Sequence, residues 1–437
     1  MADRGAKLAP WPGKTAGGAG GGSGRADLSG PSGRQAGYRP AGRGRRENCA
    51  QRRKIPGGRL PGQRRSARLS PGSFVKPELQ AALFFVPELN IVDIAPLGAG
   101  NVNDTFLLTL ATGEERILQR VNPAVFPEPL LVMRNLRLVS EHLRMASARQ
   151  EADVHPFQPV LLCGGRAGDV YLAEDGAPWR LLHRISGGHT RQSVNSAKQA
   201  RELGRGLGLF HRLLSTLDPT GLADPLPGFH VTPAYLASYD LVCARPGNSL
   251  RPDNPFCRQF IEQRRATTRL LEDGRERLAA GVIHGDPKVA NFLFDEEGEQ
   301  VISLIDLDTV KPGLLLHDLG DALRSCCNTA GETPVAPDDA LFEPGLFTAW
   351  LEGYCAEARM LLSDEDLSRL VDAVALIAFE LGLRFYTDYL EGDRYFKVAD
   401  AGQNLQRALT QFQLTRSIER QREELALIVA LLAAEPE

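Results

Sequence analysis

The sequence predicts an α+β fold: an N-terminal lobe built on an antiparallel sheet with one main helix, then a larger, mostly helical C-terminal lobe. Three observations predict it. "IAPLGAGNVNDTFLLTLATGEERILQRV", from Ile94 to Val121, alternates short apolar runs with Gly, Asn and "ATGEE" turn signals, which reads as three strands joined by two turns. "PLLVMRNLRLVSEHLRM", from Pro129, spaces Leu and Val as one buried helix face requires. After about Gly187 the pattern turns helical, in "AKQARELGRGLGLFHRLLSTL" (197–217) and "PFCRQFIEQRRATTRLLEDGRERLAA" (255–280).

Taken in order, the elements divide the chain into three. Residues 1–75 are rich in Gly, Pro, Arg and Ser, too poor in apolar surface to offset the entropy of ordering, and are expected to be a disordered basic tail. Residues 76–186 form the first lobe, expected to bind a nucleotide, with further strands expected in "PVLLCG" (159–164), "VYLAE" (170–174) and "WRLLHRI" (179–185). Residues 187–437 form the second lobe, expected to hold the catalytic and substrate groups. The charge follows the same division: the tail carries 16 Lys/Arg against 3 Asp/Glu, and the remainder 35 against 51. A solvated tail without a role is favoured over nucleic-acid contact or an organellar leader, because charge runs are usually solvated.

Composition excludes several classes. The seven cysteines are scattered and odd in number, with no CxxC pair, which argues against a disulfide scaffold and a structural zinc site. Reduced thiols point to a cytoplasmic setting. The longest apolar run, "LALIVALLAA" from Leu425, is far short of the roughly 20 residues a membrane span needs, and no apolar signal segment follows the N-terminus. A monomer or small homo-oligomer acting on a small molecule is expected.

The chemistry concentrates in "GVIHGDPKVANFLFDEEGEQVISLIDLDTV" (281–310). "NFLF" and "VISLI" read as a hairpin around the "DEEGE" turn, so a polar loop precedes one strand and Asp306 ends the other. Asp286, Asn291 and Asp306 can then meet at one end of the hairpin. Three oxygen-bearing groups suit phosphoryl transfer: Mg²⁺ takes hard oxygen ligands, and the accepting hydroxyl needs a carboxylate to orient it and take its proton. The spacing His284, Asp286, Asn291 is the kinase pattern H-x-D-x-x-x-x-N, with a later Asp as second metal ligand. Lys288, two residues beyond Asp286, is placed to face the transferring phosphate. His284 is expected to hold the loop by hydrogen bonding rather than to titrate. "DLDTV" stands where D-F-G would and no A-P-E segment follows, which argues against protein-kinase activity.

The loop and hairpin resemble the aminoglycoside phosphotransferase/choline kinase superfamily, with its protein-kinase-like bilobal fold. The chain most resembles N-acetylhexosamine 1-kinases, on "GNVNDTFLL", "RILQRVNPAVFPEP", "LPGFHVTP", "IDLDTVKPGLLLHDLGDALR" and "FELGLRFYTDYLEGDRYFKVADAGQNLQRALTQFQL". The match runs from about residue 82 to about 420. The resemblance implies ATP as co-substrate, Asp286 as base, and Mg²⁺ on Asn291 and Asp306, with Asp308 on the metal through water or ordering the loop. It also implies an amino-sugar site around Arg384 and Tyr395, with phosphate transferred to the anomeric hydroxyl. Gly285 and Pro287 depart from the residues more usual in close N-acetylhexosamine kinases.

The nucleotide side is less regular. "PLGAGNVNDTF" is a Gly-containing turn without a full G-x-G-x-x-G, so Gly98, Gly100, Asn103, Asp104 and Thr105 are candidates for covering phosphate. The third strand offers no lysine; Gln119 or Arg120 stands near its place, and alternation lets only one face the cleft. Glu141 is a candidate partner for Arg120, and the adenine hinge is expected near Leu181–Gly187. Asp318 and Asp321 are expected at the N-cap and third position of a helix, in structural roles. Competing functions are phosphorylation of choline, homoserine or an aminoglycoside, and a catalytically dead kinase-fold binding protein.

Overall fold

The computed structural model describes residues 76–87, 90–98, 102–149, 157–165, 168–244, 250–331 and 336–434. The basic tail lies outside the described residues, so its expected disorder is not addressed.

The chain folds into the two predicted lobes. In the first, α1 (Pro77–Phe85) precedes β1 (Ile91–Pro96), β2 (Asp104–Leu110) and β3 (Glu115–Arg120), then α2 (Pro129–Ser147), β4 (Tyr171–Leu172) and β5 (Pro178–His183). The five strands form one antiparallel sheet in the order β1-β2-β3-β5-β4. Strand alternation sorts its faces. Leu108, Leu118, Trp179 and Leu181 pack with Ala81, Ala82 and Phe85 of α1 in a small core of their own. The opposite face looks toward the main core, which takes Leu182 and, less deeply, Ile117. α2 buries Val132, Met133, Leu136, Val139 and Leu143, the three- and four-residue spacing of one helix face.

The second lobe begins with β6 (His189–Thr190), α3 (Ala197–Leu214), α4 (Thr232–Cys243) and α5 (Pro255–Gln263). Next come β7 (Ala280–Ile283), the hairpin β8 (Phe292–Phe294) and β9 (Val301–Leu304), and β10 (Lys311–Leu314). α6 (Leu315–Cys326), α7 (Pro344–Ala358), α8 (Asp364–Leu390), α9 (Gln403–Arg420) and α10 (Arg422–Ala434) complete it. β7 pairs with β10, and β6, β8 and β9 form a second small sheet. α3 and α7 cross at backbone distance: a Cβ on Gly204 would lie 1.9 Å from the Trp350 carbonyl oxygen. The long α8 starts at a capping box in which Ser363 and Asp366 exchange hydrogen bonds. This fixes the start of the helix that carries Glu380 and Arg384.

Three local expectations change. The helix predicted over 255–280 ends at Gln263. Beyond it the Thr267 and Thr268 hydroxyls donate to carbonyls three residues back, and Gly274 turns left-handed at φ +77. Such side-chain bonds offer the backbone an alternative to the helical ladder. "PVLLCG" forms only a bridge, Leu162 to Leu182, and "VYLAE" shrinks to the two residues of β4. Among the described residues, the six cysteines are free thiols and no helix is long and apolar enough to cross a membrane.

Candidate active site

β7 delivers the chain into the polar loop at Ile283, and the next two residues are held from below. Asp318, fully buried in the first turns of α6, accepts from the His284 amide at 2.6 Å and the Gly285 amide at 2.8 Å. His211 lies 3.0 Å from the same carboxylate. The helix N-cap is Leu314, so Asp318 is not the expected cap; it anchors the polar loop instead. Burial raises its pKa, but the His211 hydrogen bond and the loop amides bring it below the usual carboxylate value. Asp321 likewise pairs with Arg324 at 2.7 Å rather than serving the helix end. Gly285 sits at φ +86, and a Cβ there would come within 2.8 Å of the Thr309 carbonyl oxygen, so the turn admits glycine.

His284 is buried, and its Nε2 lies 2.9 Å from the Ile305 carbonyl oxygen. Its Nδ1 accepts the Asp286 amide at 3.2 Å. Accepting at Nδ1 while donating at Nε2 requires the neutral ring. Burial, opposed only partly by Asp318 and Asp286, holds the imidazole below its usual pKa. His284 therefore positions the loop, as its sequence context suggests.

Asp286, Lys288, Asn291 and Asp306 are brought together. Lys288 Nζ donates to Asp286 Oδ2 at 2.6 Å, and Asn291 Nδ2 donates to the Asp286 carbonyl at 2.7 Å. Burial would raise the Asp286 pKa, but Lys288 overturns this and keeps the carboxylate charged. Asp306 adopts a left-handed φ of +65 at the end of the hairpin, open to the cleft. Burial of its surroundings and the neighbouring charges of Asp308 and Asp286 push it up to about 6, against the opposing pull of Lys288 and Arg180. A carboxylate raised in this way is stabilised by a cation. Asn291 turns its amide nitrogen to Asp286, which leaves its oxygen for another partner. The two hard oxygen donors fit Mg²⁺, which takes one or two protein ligands and completes its shell with phosphate and water. Among the described residues, no group of three or more His, Cys, Asp or Glu is arranged to hold a metal.

Asp308 has different work. It is buried, accepts from Asn103 Nδ2 at 2.6 Å and pairs with Arg180 Nη2 at 2.6 Å. Both donors belong to the first lobe, so Asp308 joins that lobe to the loop that ends the hairpin; its Oδ2 accepts from Asn103, while Oδ1, beside Arg180 Nη2, has no hydrogen-bond partner among the described residues. Asn103 also accepts the Asn122 amide at 3.1 Å, which ties the glycine-turn segment to the same point.

The two open positions of β3 are resolved by register. Gln119 pairs with Arg180 across β3 and β5 and so shares its face; its Oε1 accepts from Arg180 Nε at 3.0 Å and Nη2 at 2.8 Å, and its Nε2 donates to Thr105 at 3.1 Å. Arg120 points the other way, pairing with Asp175 and, at 3.5 Å, with Asp104. Asp104 also faces Lys397 at 3.7 Å on the surface. Glu141 does not meet Arg120: it is an exposed residue of α2 bonded to Arg144 three positions on. Gly98 makes its turn at φ +72, and Gly100 lies outside the described residues. The inward cation of this lobe is thus Arg180, which the sequence reading missed. The available signal was a lone arginine inside the apolar run "APWRLLH" of a strand.

A family model described as APH, phosphotransferase enzyme family, matches residues 93–360. The chain belongs to this phosphotransferase family. Two solved structures share its fold. An aminoglycoside phosphotransferase from Alicyclobacillus acidocaldarius aligns at TM-score 0.52 and 17% identity, over 84% of this chain and 98% of its own. A choline kinase from Cryptosporidium parvum aligns at TM-score 0.53 and 11% identity, over 80% and 95% respectively. The kinase-like bilobal arrangement is common to all three.

On the other side of Asp286, the phosphotransferase presents an arginine enclosed by aromatic rings. Arg384 of α8 is 8% exposed, and its guanidinium carbon lies 5.0 Å from the Phe229 ring, 5.1 Å from Tyr235, 5.5 Å from Phe396 and 6.0 Å from Tyr395. Burial works against its charge, while Tyr235, Tyr395, Glu380 and Asp286 sustain it, with a net upward shift. Arg384 and Tyr395, both expected substrate residues, are therefore neighbours. Phe229, Tyr235 and Phe396 were not foreseen; they lie up to about 170 residues apart in sequence. His230 links this side to the loop. Held at φ +62, it places Nε2 2.7 Å from the Gly285 carbonyl oxygen and Nδ1 3.1 Å from Glu380. Thr232 donates to the other oxygen of Glu380 at 2.7 Å.

Proposed function

We propose that this phosphotransferase is an ATP-dependent small-molecule kinase whose acceptor is a neutral sugar, the anomeric hydroxyl of an N-acetylhexosamine. Asp286, charged and hydrogen-bonded to Lys288, orients the acceptor hydroxyl and takes its proton as that oxygen attacks the γ-phosphorus. The bond from γ-phosphorus to the bridging oxygen breaks, and ADP leaves. Lys288 faces the transferring phosphoryl group. Asn291 and Asp306 hold Mg²⁺, which when bound neutralises phosphate charge. Gly98 and Thr105 border the phosphates, Asn103 braces that segment on Asp308, and the chain near Leu181–Gly187 faces adenine.

One observation carries the acceptor assignment: the aromatic enclosure beside Asp286 is occupied by the chain's own Arg384. An aromatic box that selects choline binds its quaternary ammonium over the ring faces. Here a guanidinium takes that place. A cationic acceptor, whether choline or an aminoglycoside, meets repulsion. A polyol or N-acetyl group meets hydrogen-bond donors, together with rings on which an apolar sugar face can lie.

The test is ADP release from Mg-ATP by purified protein, offered N-acetylglucosamine, N-acetylgalactosamine, homoserine, choline and kanamycin separately. Turnover is expected on the N-acetylated sugars and not on the cations. Turnover confined to choline or kanamycin would sink the assignment.

A further inference from the structure

We propose that Arg180 supplies the phosphate-binding positive charge of the nucleotide cleft, from β5, in place of the lysine that β3 lacks. The inference rests on the nucleotide-binding reading above. Its first support is position. Gln119 stands on β3 where a cation is expected, and Arg180 is its direct cross-strand partner, on the same face of the sheet. Its second support is the state of the side chain. Arg180 is 2% exposed, and among the described residues its Nη1 is buried with no hydrogen-bond partner, as is Oδ1 of its ion-pair partner Asp308. A buried guanidinium N–H without an acceptor is costly, and Arg is seldom buried unless all of its fork is used. The remaining nitrogens are accounted for: Gln119 Oε1 takes Nε and Nη2, and Asp308 takes Nη2. These contacts fix the plane of the guanidinium and leave Nη1 as the edge offered to a ligand.

The chemistry of that ligand follows. The free edge lies at the end of a network that reaches Asp308 and, two residues before it, Asp306 on the cleft. An anion with oxygen acceptors fits it, because guanidinium forms charge-assisted hydrogen bonds with phosphate oxygens. The polyphosphate of a nucleoside di- or triphosphate is such an anion. Arg120 is not an alternative, since it pairs at the surface with Asp104 and Asp175. The glutamine at 119 is also explained. A lysine there would set a second cation beside Arg180, whereas the neutral amide accepts from Arg180 and donates to Thr105, holding both.

The experiment is calorimetric titration of the full chain with adenosine, ADP and ATP, in EDTA and in Mg²⁺, with no acceptor present. R180Q is expected to weaken ATP and ADP on the order of 10-fold or more while leaving adenosine unchanged. R180K should lie between R180Q and the parent. The Q119K/R180Q double variant should regain most of the loss by returning a cation to β3. If R180Q melts too early to titrate, R180K and the double variant carry the test. Equal weakening of adenosine and ATP, or no weakening of ATP, overturns the inference and leaves Arg180 a structural ion pair. A parent protein that binds none of the three nucleotides would overturn the nucleotide-binding reading itself. The acceptor assignment is untouched by either result, because no acceptor enters the measurement.

Discussion

Two buried arginines, one from each lobe, are held by different means. Arg180, on the sheet side, is tied by an ion pair to Asp308 and by hydrogen bonds to Gln119. Arg384, on the helical side, is surrounded by four aromatic rings, and among the described residues its Nε has no hydrogen-bond partner. An ion pair fixes a guanidinium in direction and in charge balance, so Arg180 can present one defined edge to an equally defined anion. Ring faces sustain the charge with less directional demand, so Arg384 can serve a partner of variable outline. The difference matches a site that binds one invariant ligand on one side and selects its acceptor on the other.

The largest expected effect tests what both arginines serve. D286N should lower turnover by about 10²–10⁴-fold, the usual worth of a positioned base, with nucleotide affinity little changed. A variant with near-normal turnover would remove Asp286 from the role of base, and the two arginines would no longer share a reacting centre. The next variant separates the sides. R384M keeps much of the side-chain volume and should raise the acceptor KM by about 10- to 100-fold, the loss of a charged hydrogen-bond donor, while ATP affinity stays unchanged. Weakened nucleotide binding in R384M would erase the contrast with Arg180.

A third variant is read in stability rather than turnover, and concerns the strut between loop and α8. H230N, chosen because Asn tolerates positive φ, should destabilise the protein by about 3 kcal/mol by leaving Glu380 buried without its partner. Burial lowers the His230 pKa, but Glu380, Asp321 and the Gly285 carbonyl raise it net above 6.5. Its contribution is therefore fully present below pH 6.5 and is lost as pH rises through the folded value. Glu380 is held net below 4.5, chiefly by His230 against burial, so its contribution is present above pH 4.5 and is lost as pH falls through its folded value. Thermal melts across pH should show the widest gap between parent and H230N from about 4.5 to 6.5. A gap independent of pH would mean the two side chains meet as neutral groups.

The clustering of the polar loop was readable because its polar residues are close in sequence and of types that stability alone does not require. His284, Asp286, Lys288 and Asn291 lie within eight positions, and the hairpin that returns Asp306 has an evident turn. Helices α2 and α3 were readable by apolar period. The helix predicted beyond Gln263 was not, because hydroxyl-to-carbonyl bonds at Thr267 and Thr268 compete with a pattern that apolar spacing by itself would extend. Glu141 was misassigned because a helix carboxylate looks the same in sequence whether it faces a cleft or solvent.

The sequence by itself determined the sheet-then-helix order, the polar loop that precedes the hairpin and the lack of a lysine on β3. These depend on local pattern, residue type and short spacing. Only the tertiary structure decided that Gln119 rather than Arg120 turns inward, that Arg180 meets Asp308, and that Arg384 fills a box of rings drawn from distant segments. Such contacts join residues far apart in the chain, on faces chosen by strand register and helix packing. No local stretch of sequence encodes that choice, because each side chain acquires its partner only when the whole core closes around it.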